Sequence, residues 1–143
     1  MPAPKRQRII NAIVDRLETA GVTVRRDRQM PHAAECPVYA VYSNERTNEE
    51  RKNLRTRCAM TVTVVGFREF TNDAETEGNE ILAEIMQAIE TSDKTLDGLL
   101  VNQPGLSFET ETIYLPEAGE GVVAAEIVYA TPHIRIDGDP EIE

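Results

Sequence analysis

Residues 57–67, RCAMTVTVVGF, constrain this chain most, as its longest run of strand-favouring side chains. Met60, Val62 and Val64 fall on one face at period 2, and Thr61, Thr63 and Val65 fall on the other. β-Branched residues at that spacing suit a pleated, half-buried surface. A charged stretch precedes the run and a helical pattern follows it. The run is therefore expected to form a central strand on which the other elements pack or pair.

Over residues 5–20, Ile9, Ile10, Ile13, Val14 and Leu17 recur at helical spacing. Gly21 is placed to stop this helix, and Pro2 and Pro4 lie ahead of it or in its first turn. Residues 22–27 read as a short strand and 28–37 as a loop with two prolines. Residues 38–43, VYAVYS, read as a strand that is apolar or aromatic on both faces. That pattern predicts a helix over one face and a further surface, such as a neighbouring subunit, over the other. A second helix is expected over 73–91, capped by Asn72 or Asp73, with Glu75 and Glu77 at its positive end. Its apolar face is Ile81, Leu82, Ile85, Met86 and Ile89. Gly78 should weaken the first turns, so that firm helix begins near Asn79.

Leu96, Leu99 and Leu100 are expected to cover one end of the core. Strands follow at 106–115 and 122–136, the second broken near Pro132, with a turn at 116–121. In the first of these, alternation puts Leu106, Phe108 and Tyr114 on one face with Thr110 and Thr112, and Ser107, Glu109 and Glu111 on the other. The order α-β-β-β-α-β-β predicts an α+β fold: a mostly antiparallel or mixed sheet of about five strands with two helices packed on one face. Residues 1–136 are expected to form a single domain and 137–143 an acidic tail.

At 143 residues and 41% hydrophobic content, the chain is long and apolar enough to bury a core. No apolar run approaches the ~20 residues that span a bilayer, so no membrane partner is expected. Asp15, Arg16 and Glu18 interrupt the N-terminal apolar pattern, which excludes a secretory signal there. Without one, Cys36 and Cys58 are expected to be free thiols.

Charge is unevenly spread. Residues 1–68 hold 13 Lys/Arg and 7 Asp/Glu, whereas residues 69–143 hold 2 and 18. Such asymmetry suits a nucleic-acid surface on the basic half, or contact between the basic face of one copy and the acidic face of the next. It also fits a plain solvated surface. Residues 44–56, NERTNEERKNLRT, have almost no apolar content and read as a long projecting loop. Arg46, Arg51, Lys52 and Arg55 are its candidate partner-binding residues, able to meet carboxylates or phosphates.

Signals for chemistry are missing. His32, Cys36, Cys58 and His133 match no zinc spacing. The carboxylate pairs Glu75/Glu77, Glu109/Glu111 and Asp137/Asp139 are what so acidic a chain supplies by chance, and no EF-hand pattern surrounds the last. There is no GxxxxGK[ST] or GxGxxG, and Ser43, Ser92 and Ser107 lack a G-x-S-x-G context. No cofactor or metal is expected.

Three stretches carry a family resemblance. The first is the N-terminal helix and the short strand after it. The second is CPVYAVYSNERTNEERKNLRTRCAMTVTVVGF, a Pro-led strand, charged stretch and apolar strand. The third is the closing helix, the Leu-rich LDGLL turn, a polar strand and GVVAAEIVYATP. In order and spacing, across residues 5–133, the chain resembles the tail terminator proteins of long-tailed phages, the lambda-type minor tail protein U group. The resemblance implies a structural virion protein at the head-proximal end of the tail, assembled in the host cytoplasm. Such proteins form a hexameric ring that caps the tail tube, stops its polymerisation and offers a head-attachment surface. The implied partners are copies of itself, the tail tube protein and a head-side connector protein, with a lumen for DNA and no sequence-specific nucleic-acid contact. The resemblance brings no catalytic residue, so no enzyme activity is expected. A head–tail connector or tail-completion protein of similar fold is the nearest alternative. A small nucleic-acid-binding module or a small enzyme belongs to a different class.

Overall fold

The computed structural model describes residues 4–25, 35–52, 54–71, 73–91, 93–101, 105–114 and 121–136, and their side chains except those of Glu45, Asn48, Glu49, Glu50, Lys52 and Ile136. Strand β3 (Arg55–Glu69) contains the valine-rich run and lies at the centre of a mixed sheet that has six strands among the described residues. Strand β2 (Val38–Lys52) runs antiparallel along one edge of β3, and β1 (Val24–Arg25) pairs parallel with β2. Along the other edge of β3 lie β5 (Val122–Ala130) and then β6 (His133–Ile136), and β4 (Ser107–Tyr114) pairs with β5. The sheet order is β1-β2-β3-β5-β4, with β6 on β3.

The break between β5 and β6 has a local cause. Pro132 has no N–H to give to the ladder. Beside it, the Thr131 N–H and hydroxyl both donate to the Met60 carbonyl, at 2.8 and 2.9 Å. Pairing therefore lapses after Thr61↔Ala130 and resumes at Cys58↔His133.

Helices α1 (Lys5–Thr19) and α2 (Ala74–Glu90) cover one face of the sheet. The core joins Ile9, Ile13 and Leu17 of α1 and Ile81, Ile85 and Ile89 of α2 to Val41, Val62, Val64, Ile127 and Tyr129. Each such side chain contributes ~1.5–3 kcal/mol on full burial. The hydroxyl of the fully buried Tyr129 donates to Glu90 at 2.8 Å. Burial first, and then that carboxylate, hold its pKa well above the usual tyrosine range. Leu96 and Leu100 close one end of the core, as the leucine spacing predicts.

Four expectations change. The stretch 44–56 is not the expected loop: residues 44–52 extend β2 and residues 55–56 begin β3, paired through Arg51↔Thr56 and Lys52↔Arg55. The polar residues of β2 are held by their ladder to β3, which β6 braces on its other edge from Arg55 to Cys58. Helix α2 begins at Ala74 without delay, because the Asp73 carboxylate caps the Thr76 N–H. Gly78 permits close packing there: a Cβ on it would lie 2.5 Å from Ile113 Cγ2.

Phe108 and Tyr114 do not share a face. A register shift between Phe108 and Thr110 sets Phe108 opposite Tyr129 and Tyr114 opposite Ala124, on opposite faces of the sheet. Finally, Val38 and Ala40, on the face away from the helices, are only 2% and 4% exposed in the single chain. Their burial requires no neighbouring subunit.

Candidate functional site

The four cations singled out in the sequence do not form one patch. Arg51 and Arg55 are exposed near the hairpin tip. Lys52 pairs with Arg55 through the backbone, and its side chain lies outside the described residues. Arg46 is half-buried in the stem, five residues before Arg51 and so about 17 Å from it along the strand. Burial, chiefly, and the neighbouring Arg135 and Arg6 guanidiniums press the Arg46 pKa below its ordinary value.

The stem is anchored to α1. The Lys5 ammonium donates to the Ile134 carbonyl at 3.0 Å, and Arg6 donates to the Ser43 hydroxyl and the Asn44 carbonyl at 3.1 and 3.0 Å. At the far end, β2 ends at Lys52 and β3 begins at Arg55. Leu54 is 66% exposed and has φ +64°. A glycine would adopt that left-handed conformation freely, and a leucine does not. Residues 51–56 carry Arg51, Lys52 and Arg55 and no carboxylate, and Glu50 is the register partner of Arg57.

The opposite end of the same two strands borders a groove of about 1100 Å³. Its walls include Pro37 and Tyr39 at the start of β2, Arg68 and Glu69 at the end of β3, and Glu77, Glu80 and Glu84 of α2. Spacing of three and four residues puts these α2 carboxylates on one side of the helix. Among the described lining residues, four carboxylates meet one cation, Arg68. Arg68 reaches both Glu80 and Glu84, the latter at 2.7 Å. Glu77 is held down by the Thr71 N–H, at 3.2 Å, and by the Thr71 hydroxyl. Tyr39 donates its hydroxyl to Glu84; burial, then that hydrogen bond, raises its pKa well above the tyrosine range. Glu80 and Glu84 keep 58% and 48% of their side chains exposed while paired with Arg68.

The groove was missed from sequence, although the Glu77, Glu80 and Glu84 spacing was readable there. The missing information was that the fold brings Val22, Pro37, Tyr39 and Arg68 to the same side of α2 as these carboxylates. Tip and groove are separated by the length of β3, about 45 Å for a strand of this length.

Other candidates disperse. Cys58 and His133 are register partners and both are fully buried, whereas Cys36 lies at the far end of β2. The Cys58 thiol contacts the Thr56 carbonyl at 3.7 Å and has no access to a substrate. His133 Nδ1 lies 2.9 Å from the Thr131 carbonyl, which requires its proton there. Burial first, then the Arg46, Lys5 and Arg6 charges, lower the His133 pKa and keep the ring neutral. Among the described residues, no group of three or more His, Cys, Asp or Glu side chains converges to hold a metal ion. Glu109 and Glu111 are exposed on β4; His32, Ser92, Asp137 and Asp139 lie outside the described residues. Compared with known proteins, the chain matches no family model and none of the curated proteins.

Proposed function

We propose that the chain is a structural protein of phage assembly, a tail terminator whose ring caps the tail tube, stops polymerisation and presents the head-attachment surface. One observation carries this reading: a basic hairpin tip and an acidic groove occupy opposite ends of the same two strands. A subunit charged oppositely at its two ends favours head-to-tail contacts over symmetric ones, and head-to-tail contacts close into a ring when the rotation permits. The α+β order and spacing that resemble the tail terminators agree with it. The function needs no catalytic group, since termination is steric: a ring that occupies the last tube interface leaves no site for the next tube subunit.

Deletion of the gene, followed by electron microscopy of the lysate, tests the proposal. Overlong tails are expected. Tailless heads beside tails of normal length would instead identify a head–tail connector. Duplex DNA binding by the purified chain with a steep salt slope would favour a nucleic-acid module.

A further inference from the structure

We propose that the hairpin tip of one copy, Leu54 flanked by Arg51 and Arg55, seats in the acidic groove of a second copy. The proposal rests on the ring reading and names the two surfaces that would form its repeating contact. Three observations converge on it.

The first is complementarity. Residues 51–56 have three cations and no carboxylate, with Glu50 opposite Arg57 at their base, and the described groove has four carboxylates and one cation. The groove is also not wholly polar, because Ala20, Val22, Pro37 and Ala88 contribute to its lining. An arginine-flanked leucine matches that mixture: the leucine for the apolar wall and the guanidiniums for the carboxylates of the rim.

The second is topology. Tip and groove lie at opposite ends of one strand pair, so no copy can place its own tip in its own groove. The contact must be made between copies, and it repeats in one direction.

The third is Leu54 itself. It is 66% exposed, the highest value among the described large hydrophobic residues, and it holds a left-handed conformation. Glycine would relieve that strain, and solvation gives no reason for leucine at such a site. Strain retained at an exposed apolar residue points to a contact.

The test is sedimentation velocity on the full chain across a concentration series, with thermal unfolding measured on the same samples. L54G is expected to keep or raise the unfolding temperature, because the turn relaxes, and to weaken self-association about tenfold or more. R55E and E80K are each expected to weaken it by a similar factor, and the double variant R55E/E80K to recover most of the loss. Assembly that is unchanged in L54G, R55E and E80K overturns the proposal while the ring stands. A double variant no better than either single one also overturns it. A wild-type chain that stays monomeric at every concentration and salt level overturns it too, and the terminator reading is then decided separately by tail length in the deletion.

Discussion

The two ends of the β2–β3 ribbon are made in different ways. At the α2 end, Val41, Val62 and Val64 are fully buried and the helices lie across them. Apolar area decides the structure there. At the tip end, Leu54 and Arg55 are exposed, and order comes from the backbone ladder to β2 on one side and β6 on the other. One end gives the domain its stability. At the other, Leu54 and Arg55 lie exposed, and changing them should cost folding little.

The largest effect should come from placing charge at the buried end. Val64→Asp puts an unpaired carboxylate in a site with no exposure and should cost more than about 4 kcal/mol, enough to prevent folding. Circular dichroism of the purified variant checks it. A soluble variant with an unchanged thermal transition would contradict the assigned face. Gly66→Ala should follow, at about 1–3 kcal/mol: the added Cβ would meet Ile81 Cγ2 at 2.3 Å and Tyr39 Cε2 at 2.9 Å. Denaturant unfolding at constant slope measures that cost.

Between the two ends sits His133, fully buried where the stem meets α1. Its folded pKa lies below the unfolded value, so below about pH 6.5 the unfolded chain binds the extra proton and the folded chain does not. Stability should therefore fall as pH falls through that range, with a slope from this residue approaching ~1.4 kcal/mol per pH unit. His133→Gln should flatten that part of the profile. An unchanged slope would place the acid sensitivity elsewhere.

These differences explain what the sequence could reveal. Helices α1 and α2 and the valine run were legible because buried apolar residues repeat at 3.6 or 2. The hairpin stem was not, because NERTNEERKNLRT has no apolar period. Its strand form depends on the ladder between β2 and β3, with β6 bracing β3 from Arg55 to Cys58. The faces of β4 were misread at Glu109, where one extra residue between Phe108 and Thr110 reverses the alternation that follows. Gly78 looked like a helix weakness because its use, room for Ile113, exists only in three dimensions. The groove is likewise a property of how β1, β2 and α2 meet, and only its carboxylate spacing was visible in advance.

The smallest effect on folding belongs to the tip, and it gives the most direct test of the division between the two ends. The triple variant R51E/K52E/R55E should unfold within about 0.5 kcal/mol of wild type, as surface substitutions do. It should nevertheless lose the assembled species when the same sample is run by sedimentation velocity. An assembled peak retained in full would contradict the account, as would a loss of stability comparable to that of Gly66→Ala.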